Sequence, residues 1–462
     1  MSTSGINLAS LGLSSSTSSS AGIDVTAVVD QILYADRAPE RLWQAQQASL
    51  TSQAGVLTSI NTDLSDLYTK VNALKDSFGV VSAKSVSSSD SGIVTGTAQS
   101  NAISGNHTIV VGKLASTSAY YSDGVDGSAT FAAGTLSLQV GSGQATTINI
   151  DSTNNTVSSL ATYINGLNAG VNASVIADST GSRLVLVSAT TGSAGDLTLS
   201  GQLNLTSDGS SVNFGKITGQ DASLTVDGVP VSSSSNNLTD VLPGVSLSLV
   251  SASPGTQVQL GVAPDTAGVT SAVGDFVSSY NTIIQAINAQ FTVPTDGSAA
   301  PPLEADTSLR ILQSDLLSNM TYSMTGNNGI SSLASLGITM NNDGTLSVDS
   351  TQLGNVLQNQ YSDFQNFFQS VDTSNQGFGY HFGNDLLNLT DPTQGVLNVE
   401  LAQNTVSQKG LTDQINNFED QLAITQQLLI TQYSKVDAAL REYSTTLSQV
   451  TSELGSLPST SK

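Results

Sequence analysis

No cysteine occurs among the 462 residues. That absence excludes disulfides, thiolate metal sites and cysteine nucleophiles together. Basic side chains are scarce as well: 13 Lys and Arg stand against 36 Asp and Glu, for a net charge of −23. Residues 114–264 hold only Arg183 and Lys216. Nucleic-acid affinity rests on Lys and Arg, so such a surface holds no phosphate backbone. An anionic membrane surface is excluded on the same ground. No run approaches the roughly 18 apolar residues of a membrane span. Met1 to Ser20 lacks the basic and apolar regions of a secretory signal peptide. Ser14 to Ser20 is pure Ser and Thr and reads as disordered.

Groups that could carry chemistry are equally few. There are two histidines, His107 and His381, and neither has a second His at ligand spacing. His107 reads as a strand residue, and His381 as a structural residue of a Gly-rich loop. No Gly-x-Ser-x-Gly elbow supports a hydrolase. Asn341-Asn342-Asp343-Gly344 hints at a calcium loop, but Thr339 holds the first ligand position and Ser350 the twelfth. It reads as a turn. Asp151, Asn154 and Asn155 read as turn and helix-capping residues. No catalytic residue, metal or cofactor is expected.

What the chain has instead is two heptad runs flanking a Gly-, Ser- and Thr-rich middle. Leu57, Ile60, Leu64, Leu67, Val71, Leu74 and Phe78 follow steps of three and four. A second run comprises Leu411, Ile415, Phe418 and Leu422, then Leu429, Tyr433, Val436, Leu440, Tyr443, Leu447, Val450 and Leu454. A sustained seam marks a helix that buries one face against another helix. The simplest arrangement pairs the two runs and loops the rest out as a head. Steps of four at Thr425, Leu429 and Tyr433 form a stutter, which locally unwinds a left-handed supercoil. The lone Trp43 is either an assembly anchor or a partly buried neighbour of the seam.

Between the runs the periodicity changes. Asp24 caps a short helix to Asp36. A long helix should run from Pro39 to Phe78, with Gly79 ending it. Ser82 to Gly92 reads as a hinge. Strands are expected at His107–Val111, Thr135–Val140, Thr146–Ile150, Arg183–Val187, Ser223–Val226 and Val245–Leu249, with an Asp227-Gly228 turn. One helix, Thr156 to Leu167, interrupts them. Helices return after Asp265, with a loop at Pro294 to Pro302. They continue at Thr307–Met320, at Leu353–Phe368 beyond a short strand Thr345–Val348, and at Val406–Leu454. Asn375 to Gly383 reads as a Gly-rich loop.

The expected class is therefore α+β and multidomain: terminal helices forming a coiled-coil or helical-bundle leg, and a central β-rich head of two small domains. The expected divisions are a flexible terminal segment with a short helix (1–38), the N-terminal leg helix (39–80), a first β domain (81–118 with 218–265), a second (119–217), a helical leg domain with a short strand (266–405) and the terminal coiled-coil helix (406–462).

The order of these segments resembles the flagellar hook-associated protein 2 family, the filament cap proteins. The motifs that carry the likeness begin with Gly22-Ile23-Asp24-Val25 and Leu33 through Pro39. In the middle stand Ile148 to Asp151, Asn155 to Val157, Ile164-Asn165, Val171 to Ala173, Gly219 to Ala222, Val226 to Gly228 and Val241 to Val245. Tyr280-Asn281, Asp306 to Arg310, Leu336 to Ile338, Asp343 to Leu346 and Gln432 to Asp437 complete the set. The resemblance implies export by the flagellar type III route, with an export chaperone, and a homo-oligomeric ring at the distal filament tip. It implies that flagellin folds and inserts beneath that ring. The absence of cysteine suits passage through a narrow channel. A second reading makes the β head an adhesin for host or surface glycans, with Tyr120 and Tyr121 as its aromatic pair. A hook–filament junction protein or flagellin would share the helical termini, but not the block from Asp221 to Val245.

Overall fold

The computed structural model describes residues 22–292, 294–295 and 299–455. The Ser14–Ser20 run lies outside them, and the Pro294 to Pro302 loop falls partly outside. Among the described residues the helices are α1 (Val25–Asp36), α2 (Ala38–Lys75), α3 (Val157–Gly166), α4 (Thr266–Phe291), α5 (Thr307–Met320), α6 (Ser350–Asn359), α7 (Tyr361–Gln369), α8 (Phe378–Leu389) and α9 (Val396–Gly455). The chain divides into two compact units: residues 1–72, 275–349 and 372–462, and residues 73–274 with 350–371.

The first unit is helical. Its α9 has 60 residues, which makes it about 90 Å long. The α2 helix runs antiparallel to α9: Gln47 donates to Thr412 at 2.8 Å, Asn404 to the Leu50 carbonyl at 3.0 Å, and Asn61 to Asn398 at 3.1 Å. Farther along α2, Ser279 of α4 donates to Asp66 at 2.9 Å. The bundle buries Tyr280, Ile284 and Ile287 of α4, Leu309, Leu312 and Leu316 of α5, and Phe378 and Phe382 of α8. Phe276 meets both α8 rings edge-on. A two-stranded ribbon, Ile338–Met340 with Leu346–Val348, is pinned by Asn281, whose amide accepts from Leu346 N–H and donates to its carbonyl.

The second unit holds two separate β cores. One is an eight-stranded antiparallel sheet in the order Val229–Ser233, Ala222–Val226, Gly105–Lys113, Val258–Pro264, Lys84–Ser88, Val94–Ala98, Val245–Leu249, Asn237–Leu242. Alternation puts Ile109, Val111, Leu224, Leu247 and Leu260 inside. At its first hairpin Asp227 and Gly228 both take positive φ, 52° and 83°. This is the primed turn that matches strand twist, and Gly adopts it without strain.

The other core is built from residues between Gly105–Lys113 and Ala222–Val226 of that sheet. It combines a four-stranded sheet (Phe214–Ile217, Thr117–Ser122, Gly181–Thr191, Val171–Asp178), a three-stranded sheet (Thr146–Ile150, Gly134–Val140, Leu197–Gly201) and α3. Thr156 and Ser159 form a capping box at the start of α3. Leu160 and Ile164 of α3 pack with Leu136, Leu138, Leu184 and Leu186. Chain entry and exit meet where Ser116 and Gln220 exchange backbone hydrogen bonds at 2.9 and 3.3 Å.

Several expectations are corrected. Lys84–Ser88, read as part of a hinge, is an inner strand paired along its whole length with Val258–Pro264. The helix expected to reach Phe78 stops at Lys75, and Phe78 is exposed. The Leu353–Phe368 helix is two helices, broken at Gln360. The Asn375–Gly383 loop is largely α8, a helix whose Gly379 and Gly383 are buried beside Phe378 and Phe382. The terminal helix begins at Val396, ten residues before the expected Val406.

Candidate functional site

The seam residues fall into three groups. Leu57, Ile60, Leu64, Leu67, Val71 and Leu74 are all wholly or almost wholly buried. Their α2 stretch runs beside α4, as the Ser279–Asp66 bond and a 3.9 Å Lys70–Asp275 ion pair record. It does not lie beside the second heptad run. That run instead sits against the start of α2 and against α1. The two runs are therefore offset, because α4 and the first turns of α9 take the places along Leu57–Val71 that the second run was expected to fill.

Leu411 and Leu422 are buried, and Ile415, Phe418, Leu429 and Tyr433 are half-buried. Their cover comes from two elements. The Trp43 ring of α2 meets Phe418 edge-on at 5.3 Å. Val29 and Leu33 of α1 pack with Leu422, flanked by Val25, Leu429, Ile430 and Tyr433. The α1 helix forms because Asp24 caps it, accepting from Ala27 N–H at 3.1 Å. In the structure this helix is folded onto α9.

Polar contacts fix that docking. The Arg37 guanidinium donates to both Glu419 oxygens, at 2.6 and 3.0 Å, and to Glu40 at 2.8 Å. Arg37 holds the Glu419 carboxyl below its ordinary pKa. Upstream, Ile23 N–H donates to Asp437 at 2.8 Å, and Arg441 bonds the other Asp437 oxygen at 2.8 Å. The seam pattern alone missed these residues. Arg37 and Asp437 stand within quoted family motifs, and that was the available signal.

Val436, Leu440, Tyr443, Leu447, Val450 and Leu454 form the third group, and all are exposed. Tyr34 of α1, Leu42 of α2, and Ile424 and Leu428 of α9 are exposed as well.

The other candidates resolve into local structure. His107 Nδ1 lies 2.8 Å from Asp227 Oδ2, and Asp227 also accepts from Thr108 N–H, so the turn is tied to the neighbouring strand. His381 stacks on Tyr322 at 4.3 Å within a helix, not a loop. Asp343 accepts from Thr345 N–H and Oγ1 as a turn residue. Asp151 accepts from Thr153 in the same way, and Asn154 accepts from Asp151 N–H. Tyr120 packs edge-on against Phe214 at 6.5 Å while Tyr121 is exposed, so the two rings do not make one platform. Among the described residues no helix is long and apolar enough to cross a membrane.

The comparisons with known proteins agree with this architecture. The family model for the Flagellar hook-associated protein 2 N-terminus matches residues 21–118, and that for its C-terminus matches residues 219–445. The interval between them coincides with the inserted β core. The B-type flagellar hook-associated protein 2 of Pseudomonas aeruginosa is 30% identical over 446 residues, covering 89% of this chain and 91% of that protein. The flagellar hook-associated protein 2 of Escherichia coli K12 is 28% identical over 379 residues, covering 77% and 79%. Among solved structures, the D1-D2-D3 domains of the flagellar cap protein FliD from Escherichia coli match with a TM-score of 0.58 at 26% identity, covering 76% of this chain and 99% of that one. A multidomain α+β protein, helical at both ends and β-rich in the middle, is the class this fold defines. The chain belongs to the flagellar hook-associated protein 2 family, the flagellar cap proteins.

Proposed function

We propose that this chain closes the distal end of the flagellar filament as a ring of identical copies. Membership of the cap family carries this reading. In it, residues 81–118 with 218–265 and residues 119–217 are the two head domains that form the plate. The helices of 39–80, 266–405 and 406–462 are the leg that engages the filament lattice. Flagellin delivered through the channel folds and inserts beneath the plate instead of escaping to the medium. The protein reaches that position through the flagellar export machinery with an export chaperone, and it acts without catalysis.

The heptad positions from Leu57 to Leu74 and from Leu411 to Leu454 are the interaction seam that stiffens the leg. Sidedness supports this: one face of α2 is fully buried, while the opposite faces of α1, α2 and α9 present Tyr34, Leu42, Ile424 and Leu428 to a neighbour.

Deleting the gene and assaying the culture medium tests the reading. Unpolymerised flagellin in the medium, with bare hooks and lost motility, is the expected result. Filaments of normal length on the deletion strain would refute it.

A further inference from the structure

Val171–Asp178 is the last strand of the four-stranded sheet, and its pairing with Gly181–Thr191 runs unbroken from Val171 opposite Ser188 to Asp178 opposite Gly181. Gly170 accepts from Ala189 N–H, so along this strand the even-numbered residues bond inward. The odd-numbered residues turn their N–H and C=O outward. At Ala173 the amide of Asn165, from α3, stands in for a neighbouring strand. It accepts from Ala173 N–H at 2.7 Å and donates to the Ala173 carbonyl at 2.8 Å. Past that cap, no partner among the described residues meets the outward groups of Val175 and Ala177. Val175 is 39% exposed and Ile176 52%. The strand has none of the devices that blunt an open edge: it carries no Pro, no Lys and no bulge. The eight-stranded sheet does blunt its edges, with Pro230 on one and a register break between Leu238 and Leu242 on the other.

We propose that this opening is a self-pairing edge, at which a second copy of the chain adds its own Val175, Ile176 and Ala177 antiparallel to the first. Three observations support that occupant. The first is length. With a two-fold axis between the two Ile176 residues, Val175 of each copy faces Ala177 of the other, and every outward group of the opening is bonded. A longer partner strand gains nothing, because Asn165 fills the next outward position on one side and the Ser179-Thr180 turn ends the strand on the other. The second is the side chain on the axis. The two Ile176 residues oppose one another as a non-hydrogen-bonded pair, with Cα atoms about 4.5 Å apart, where cross-strand side chains pack closest. The third is charge. Asp178 at the strand end is held by its own Arg183 at 2.7 Å, so two copies meet there without unpaired like charges.

A two-fold contact cannot recur around a ring closed by one rotation axis. It is therefore distinct from the ring contacts of the capping reading and does not rest on them. So short a ladder is a small, transient contact that forms as concentration rises. The absence of native cysteine makes the test clean. The full-length chain carrying Ile176→Cys, oxidised at high protein concentration, is expected to form an interchain disulfide about tenfold faster than one carrying Ser158→Cys, an exposed position on α3. Val175→Pro removes one outward N–H and leaves the inward ladder whole, as Pro on an edge strand does. Added to Ile176→Cys, it is expected to return the rate to that of the control. Equal rates for the two single variants, or a fast rate that survives Val175→Pro, would overturn the proposal. A second measurement needs no cysteine. In the unaltered full-length chain the Ala177 amide is expected to exchange about tenfold more slowly in concentrated than in dilute solution. Exchange independent of concentration would overturn the proposal as well.

Discussion

Arg37 and Glu419 meet side by side, two guanidinium nitrogens on two carboxylate oxygens, across the 382 positions that separate them in sequence. The pair sits at the one-residue joint between α1 and α2. It therefore holds α1 down on α9 and fixes the angle at which α1 leaves α2. Planar, two-point pairing of this kind is specific to arginine. Arg37→Lys is expected to lose the second contact and speed amide exchange throughout Val25–Asp36. The core of α2 from Leu57 to Val71 should be unaffected. Equal protection of α1 in both proteins would show that Val29 and Leu33 alone suffice.

The two ends of the seam should respond differently to truncation. Leu64 is completely buried, and Leu64→Ala is expected to cost about 2–5 kcal/mol through lost transfer energy and an unfilled cavity. Leu440→Ala, at an exposed position, is expected to stay within about 0.5 kcal/mol. Urea unfolding followed by circular dichroism compares them. A Leu440→Ala cost close to that of Leu64→Ala would mean that Leu440 is fully covered in solution.

Glu400 gives the helical unit a pH dependence. One of its carboxyl oxygens is buried without a hydrogen-bond partner. Burial, with Asp306 at the cap of α5 close by, pushes its pKa up to about 7. The folded value exceeds the ordinary 4.5, so the folded state holds this proton more tightly than the unfolded chain does. The associated stability is complete below about pH 4.5 and is lost as pH rises through 7. Glu400→Gln is expected to flatten that slope and to be the more stable protein at pH 8. The difference is on the order of 1 kcal/mol once solvent screening is allowed for. Parallel stability curves for the two proteins between pH 4.5 and 8 would remove Glu400 from the account.

Acid acts on the turns in the opposite sense. Asp126, Asp151, Asp208, Asp343 and Asp391 each accept from the backbone and hydroxyl of the Ser or Thr two residues on, which holds their carboxyls below the ordinary range. Stability from these groups is present above the unfolded pKa and is lost as pH falls through the depressed folded values. Carboxyl titration followed by NMR should find Asp151 ionising below an ordinary aspartate. Thr153→Val should return it toward the usual value. An unperturbed Asp151 in the unaltered chain would contradict this bonding.

Where the sequence carried local chemistry, it was legible. The α5 helix runs from Thr307 to Met320 as expected because Asp306 caps it, and α3 is bracketed by its capping box. Period-two alternation located Val245–Leu249 to the residue. Lys84–Ser88 escaped because its strand character comes from pairing with residues about 175 positions later, and its Ser-rich sequence carries no apolar alternation. The α8 helix escaped because its glycines read as loop punctuation, whereas Gly379 and Gly383 are buried in the helix that brings Phe378 and Phe382 onto Phe276. Both heptad runs were visible as apolar periodicity. Their offset was not, since periodicity states that a face must be buried and leaves open which partner buries it.

The backbone bonds between Ser116 and Gln220 have a consequence for how such chains diversify. The inserted core begins and ends at one point on its host, so the eight-stranded sheet closes around it with or without its particular contents. Loop-closure cost rises only slowly with length, and the host strands on either side, Gly105–Lys113 and Ala222–Val226, are already hydrogen-bonded neighbours. The junction is thus a splice site at which one module can replace another without renegotiating the rest of the chain. A chain carrying an unrelated small domain between Ser116 and Gln220 should retain amide protection in those two strands; its loss would show that the insert props up its host.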